Sequence, residues 1–420
     1  MAHLTGRVGY KKLIDRLNRF PQGAPESETL YEILQIMFTS EEASLVSLLP
    51  VKPFSAKEAS VIWSMEEEEA RNILNNLAEK ALLLDMNDGK EQKYVLPPPM
   101  IGFFEFALMR TGGVFDQKLL SELFHQYIEK EEEFTRKLLT LKNPVGRILV
   151  NEKSISFEDE VYVLDYEKAT KIIKSAESIG VSRCYCRHKA EHLGENCDAP
   201  QEVCLSINNL SQSLSKHGYA KLITNEEGLE ILELAYKNNL VQFAENVQND
   251  VGFICNCCSC CCVALKGARK MGVPQAISSS NFIAELNDKC VSCGKCIQVC
   301  PMGCLKFQEM EGKKKVSFDP YLCIGCGVCQ RVCKVNAIKM VKRAKRIFTP
   351  LNTVHKLVLE AIETDTLHNL IFDNQGLASH RFMNAFTGAF LKLPPVKQIL
   401  VSDKFQSKYL LNILNKQTNN

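Results

Sequence analysis

The chain has 420 residues, nineteen of them cysteine, and a formal net charge of +2. That length exceeds a single core and suits roughly two to four domains. The near-neutral balance excludes a global electrostatic drive toward nucleic acid or an anionic membrane.

Residues 1–24 are expected to form an amphipathic helix, with Leu13, Ile14, Leu17 and Phe20 on one face and a stop at Pro21 and Gly23. No apolar segment follows the charges of "MAHLTGRVGYKKLIDRLNRF", so no signal peptide is expected. The apolar stretches fall short of the ~20 residues a membrane span needs. Abundant cysteine without an export signal points to a reducing, cytoplasmic compartment, where thiols serve metals or redox work rather than disulfides.

Residues 25–100 show three helical patterns, "ETLYEILQIMF", "SAKEASVIWSM" and "EEEEARNILNNLAEKALL". A strand, a turn at Asp88-Gly89 and a second strand stopped by three prolines follow. That order is similar to a winged-helix module. Its charge argues against DNA: between 25 and 100 six Lys and Arg face fourteen Asp and Glu. The "EEEE" of 66–69 opens the helix that would enter the groove, where phosphate contacts require Lys or Arg. The same glutamates suit a helix N-terminus. The module is therefore expected to dock a partner or support the fold, and no nucleic-acid partner is expected.

Residues 101–180 form a connecting region. "MIGFFEFALMR" and "QKLLSELFHQYIEKEEEFTRKLL" look helical, "GRILV" and "EVYVLDY" extended, and "EKATKIIKSAESI" helical again. Residues 346–420 read as a helical tail, including "TVHKLVLEAIETDTLHNLIF" and "SKYLLNILN", with a break at Leu393-Pro394-Pro395. The fold class is thus α+β and multi-domain, with a cysteine-rich mixed α/β centre over 181–285 and a compact cysteine module over 286–345.

No cysteine precedes Cys184 or follows Cys333. Two segments repeat each other: "CVSCGKCIQVCPMGCLKF" from Cys290 and "CIGCGVCQRVCKVNAIKM" from Cys323. Both read C-x2-C-x2-C-x3-C, with Gly294 and Gly327 at the same repeat position. Zinc knuckles use two C-x2-C pairs without a third cysteine in register.

The doubled pattern resembles the bacterial two-cluster ferredoxin. The resemblance implies two [4Fe–4S] clusters in which each fourth cysteine serves the other cluster. Cys290, Cys293, Cys296 and Cys333 would hold one. Cys323, Cys326, Cys329 and Cys300 would hold the second. The glycines would let backbone crowd the clusters. Lys334 stands where a second proline is expected, opposite Pro301 in the first repeat. Cys304 aligns with Ala337 and reads as a small buried residue. Between 286 and 340 nine bases face four acids, a docking face for an acidic redox partner. The whole arrangement resembles large multi-domain 4Fe–4S-binding proteins of anaerobic bacteria and archaea.

The centre carries Cys184, Cys186, Cys197 and Cys204, then the run "CNCCSCCC". Arg183 and Arg187 flank the first pair and could neutralise an anionic cluster. His188, His192 and His217 read as ordinary structural histidines. Adjacent residues point apart in regular structure, so only a subset of the run can share one site. A helix from Cys258 would align Cys258, Cys261 and Cys262, with Cys255 and Cys257 alternating on an entering strand. These nine cysteines are candidate ligands for a third [4Fe–4S] cluster or a zinc ion.

No phosphate-cradling glycine motif and no nucleophile–base constellation is present. The expected function is single-electron relay between redox partner proteins in anaerobic metabolism. The alternatives are an oxidoreductase with an atypical central Fe–S or thiol site, and a redox-sensing winged-helix regulator.

Overall fold

A computed structural model describes residues 2–87, 89, 91–156, 159–310, 312–374 and 378–391. It divides into two units: 1–137 with 216–219 and 352–420, and 138–215 with 220–351. Asp88 of the expected turn, the Leu393-Pro394-Pro395 break and the "SKYLLNILN" segment lie outside the described residues.

The first unit opens with α1 (Ala2–Leu17), whose Leu13, Ile14 and Leu17 are buried. Next come α2 (Glu28–Met37), α3 (Ser40–Val46), β1 (Phe54–Ser55), α4 (Ala56–Trp63), α5 (Glu67–Glu79), β2 (Leu84–Asn87) and β3 (Gln92–Val95). The strands form one antiparallel sheet in the order β1-β3-β2. Capping boxes start α3 at Thr39 and Glu42 and α4 at Ser55 and Glu58, each satisfying two amides that a helix start leaves open. The glutamates of the first turn of α5 complement its dipole while Ala70, Leu74, Leu77 and Ala78 face the core.

"MIGFFEFALMR" yields only α6 (Phe104–Phe106). Ile101 has φ 55°, and Gln22 takes both the Met100 amide (2.7 Å) and its carbonyl (3.0 Å). Those two bonds, after three prolines, hold the backbone off the helical path. Then follow α7 (Gln117–His125) and α8 (Glu133–Leu139).

In the second unit β4 (Gly146–Ile148) precedes α9 (Ala169–Ser175). Between them "EVYVLDY" enters two 3-10 turns, Glu160–Tyr162 and Asp165–Glu167, rather than a strand. Val161 is 77% exposed, and among the described residues no strand pairs with this segment to satisfy an extended backbone. Then come β5 (Ile179–Arg183), α10 (Tyr185–His192), β6 (Glu202–Ile207), α11 (Asn209–Lys216), β7 (Lys221–Ile223), α12 (Asn225–Lys237), β8 (Val241–Glu245), β9 (Phe253–Cys257) and α13 (Val263–Met271). The six strands form an antiparallel sheet, order β4-β8-β9-β6-β5-β7. Alternation along β6 and β9 sends Leu205, Ile207 and Ile254 into the core, with Ile173 and Ile179. It leaves Cys204, Cys255 and Cys257 on the opposite face.

The chain continues as β10 (Phe282–Leu286), α14 (Lys295–Val299), β11 (Leu305–Met310), β12 (Lys313–Phe318), α15 (Val328–Arg331) and β13 (Ile338–Lys342). β10 pairs antiparallel with β13, and β11 with β12, so the first strand meets the last. The tail contributes α16 (Thr353–Glu363), α17 (Leu367–Ile371) and α18 (Ala378–Leu391) to the first unit. There Asn369 donates to the Arg19 carbonyl at 3.2 Å.

Half-buried Glu105 on α6 yields a pH prediction. Burial raises its carboxyl from 4.5 to about 7, against the opposing Ile101 backbone bond. The folded state therefore keeps a proton that the unfolded chain releases. Stability is full below pH 4.5 and falls as pH rises through 7, by up to about 3 kcal/mol. Glu105→Gln should flatten that decline. Urea midpoints at pH 8 should favour the variant, with the difference shrinking toward pH 5.

Candidate metal centres

Strand β10, helix α14 and the loop between them place Cys290, Cys293 and Cys296 around one cavity, and Cys333 closes it from the second repeat. It is walled by Leu286, Val316, Ala337 and Ile338. A second cavity gathers Cys323, Cys326 and Cys329 with Cys300 of the first repeat. Each cavity thus takes three cysteines from one run and the fourth from the other.

Amides point at several of these sulfurs. Ser292 donates to Cys290 at 3.4 Å, Cys304 to Cys300 at 3.3 Å and Ala337 to Cys333 at 3.2 Å. The last two bonds occupy equivalent repeat positions. Amide donors favour anionic sulfur, the form that ligates iron. Apolar walls, converging sulfurs and aimed amides fit [4Fe–4S] groups in both cavities. Gly294 and Gly327 have φ of 76° and 74° and start α14 and α15. A Cβ would strike Phe307 at 2.7 Å in one case and Ser154 at 2.9 Å in the other. Protein packing and a left-handed backbone therefore require these glycines, rather than contact with a cluster.

Cys304 lines the second cavity as a fifth thiol, buried against Cys300 and Cys323. Its contact comes first among the causes that draw those two thiols down to about 6. Of the eight thiols only Cys293, on the first cavity, is exposed; Cys296 beside it and Cys323 and Cys329 on the second are buried.

The central cysteines fall into two groups. A register shift between Ser182 and Arg183 ends β5, and Cys184 becomes the N-cap of α10. Cys262 is likewise the N-cap of α13. Thiols touch in series: Cys184 with Cys186, Cys186 with Cys262, Cys262 with Cys257, Cys257 with Cys255. Cys255 then meets Cys204 at 3.9 Å across the β9–β6 pair. This band holds six sulfurs.

The other group is compact. Cys197, Cys258, Cys260 and Cys261 have all four sulfurs within 4.8 Å of one another. Cys197–Cys258, Cys197–Cys261 and Cys260–Cys261 each measure 3.8 Å. The Cys258 thiol is pulled down to about 4, first by a bond from the Cys261 thiol and, against burial, by the charge of Arg187.

The cysteine run is therefore divided. No helix begins at Cys258: β9 ends at Cys257, residues 259–261 turn, and α13 starts at Val263. Cys258 and Cys261 join Cys197, while Cys262 joins Cys186 and Cys257. Cys260 was outside the candidate set because a helical face at spacing i, i+3, i+4 skips it. A turn imposes no such period, so neighbouring thiols can converge. The density of cysteines was the signal that could have included it.

Arg187 lies between the groups. It is fully buried, donating to the carbonyls of Pro200 (2.9 Å) and Asn256 (2.8 Å), while its Nε has no partner. Burial lowers its pKa, but Cys184 and Cys257 of the band and Cys258 and Cys197 of the compact group more than offset this. Arg183 instead pairs with Glu191. His188 and His192 stack at 4.7 Å, and His217 meets Asp85 at 3.1 Å.

Residues 289–343 match the family of 4Fe-4S dicluster domains. A 4Fe-4S dicluster domain is therefore present there, on the two cavities just described. No curated protein and no solved structure matches the chain. Among the described residues no helix is long and apolar enough to cross a membrane.

The crossed ligand sets are testable by pairing substitutions. Cys293→Ser with Cys333→Ser touches one cavity and should lose one cluster's iron and sulfide, no more than either single change. Cys326→Ser with Cys333→Ser touches both and should lose both. Iron analysis of the purified variants separates the two patterns.

Proposed function

We propose that this chain is an iron–sulfur electron-transfer protein that relays single electrons between redox partner proteins. The observation that carries this is the dicluster domain at 289–343, with its two thiol-lined cavities. When bound, [4Fe–4S] groups supply one-electron capacity and the chain supplies insulation, hydrogen bonds and docking. The exposed edge at Cys293 suits exchange with a partner. The buried cavity lies toward the cysteine-rich sheet: Gly327 packs on Ser154, and Arg331 donates to the Leu240 carbonyl at 3.2 Å. Arg269 of α13 reaches the Pro301 carbonyl at 3.4 Å, next to Cys300. In this reading electrons pass between the cluster beside exposed Cys293 and the buried one.

The inner terminus in this reading is a third [4Fe–4S] group in the six-sulfur band, on Cys184, Cys186, Cys257 and Cys262. Among the described residues the band holds no three sulfurs within 4.8 Å of one another, as single-ion ligation would require. A cubane spreads its ligands more widely, because each sulfur caps a different iron. Two of the four sit at helix N-caps, where the dipole favours anions.

The docking face in this reading is the β11–β12 hairpin. Lys306, Lys313, Lys314 and Lys315 are exposed on it, and its Phe307 covers Gly294 beside Cys293. An acidic redox protein fits that surface. The first unit, with its winged-helix-like element order and acidic α5, would hold a further partner rather than DNA. Oxygen-labile clusters suit the cytoplasm of an anaerobe.

Anaerobically purified protein, reduced with dithionite, should show three clusters by EPR and by iron and sulfide content. Cys186→Ser and Cys257→Ser should each remove one cluster and leave the coupled dicluster spectrum unchanged. Unchanged iron in both variants would rule out the third cluster. The reduced protein should pass electrons singly to oxidised viologen. A two-electron substrate turnover without viologen reactivity would favour an enzyme instead.

A further inference from the structure

The compact group has a different geometry from every other thiol grouping in the chain. Its sulfurs lie 3.8 Å apart along three measured edges and all within 4.8 Å. A tetrahedral ion with metal–sulfur bonds near 2.3 Å sets its four sulfurs about 3.8 Å apart. The observed edges agree with that value. They are too long for disulfides, and all four cysteines are free thiols. They are too short for a cubane, whose sulfurs lie beyond four separate irons.

We propose that Cys197, Cys258, Cys260 and Cys261 bind a single tetrahedral zinc ion, separate from the iron–sulfur groups. Four thiolates select zinc or iron as a lone ion, and zinc binds such a site more tightly than ferrous iron. The four ligands leave no open position, which defines a structural rather than a catalytic zinc.

The surrounding chain explains the need for such an ion. Residues 195–200 have no regular secondary structure between α10 and β6. The turn at 259–261 is equally irregular and connects β9 to α13. Cys197 is 61 residues from Cys258, so a shared ion ties two irregular segments across a long loop. A cross-link of that span removes much chain entropy from the unfolded state. A zinc tetrathiolate is also dianionic, and the guanidinium of Arg187 beside Cys197 and Cys258 offsets part of that charge. The ion would hold the cysteine run so that Cys257 and Cys262, on either side of the turn, face the six-sulfur band.

The test is metal analysis and zinc K-edge X-ray absorption on the intact, anaerobically purified protein. The expected result is one zinc per chain with a single shell of four sulfurs near 2.3 Å. Cys260→Ser, at the exposed turn position, should lower zinc occupancy severalfold while iron and sulfide stay at wild-type values. Loss of iron together with sulfide in Cys260→Ser would overturn the assignment in favour of a cluster. So would iron without sulfide at the site, nitrogen or oxygen in the zinc shell, or no zinc in the wild-type protein. Because zinc and sulfide are counted separately, failure of the zinc site leaves the electron-transfer reading standing, and the reverse also holds.

Discussion

A guanidinium without a carboxylate organises the middle of this protein. Arg187 is fully buried, and its carbonyl partners on Pro200 and Asn256 satisfy only part of its donor set. An unpaired buried charge costs several kcal/mol. Among the described residues no acid forms an ion pair with it. The compensation comes from sulfur: Cys184 and Cys257 from one group, Cys197 and Cys258 from the other. A neutral thiol would compensate poorly, whereas a thiolate or metal-bound thiolate carries the required charge. One cation thus ties the ionisation of two groups of thiols to the stability of the sheet that carries them.

The central sheet gathers its thiols on one side by separating its faces. Branched aliphatics of β6 and β9 fill the core while their cysteines look the other way. The helices that begin on that side do so at cysteines, Cys184 for α10 and Cys262 for α13. The dicluster domain contacts the rest of the same unit through Gly327, Arg269 and Arg331. Exposed Cys293 lies next to Gly294, which Phe307 of the basic hairpin covers.

Legibility differed sharply between the cysteine sets. The eight of 290–333 could be grouped from a doubled spacing that resembles the two-cluster ferredoxin: each run sets three cysteines on one cavity and its fourth on the other. The central ten could not. Their grouping depends on which strand neighbours which and on where a helix begins. The helix starts at Val263, five residues beyond the Cys258 start that would have aligned Cys258, Cys261 and Cys262. That shift sends Cys262 to one thiol group and Cys258 to the other, and brings in Cys260. Other departures have similar causes. "EVYVLDY" has strand composition but no sheet edge to join, and "MIGFFEFALMR" has helical composition but a backbone held by Gln22.

By itself the sequence determined the chemistry of the dicluster domain and the acidic character of α5. These follow from local spacing and charge, which folding does not alter. Only the tertiary structure decided that ten central cysteines serve two geometries, one compact and one spread. Sulfur–sulfur distance distinguishes a lone tetrahedral ion from a cubane. That distance is set by pairing across β6 and β9 and by a 61-residue return from Cys197 to Cys258, which no local pattern encodes.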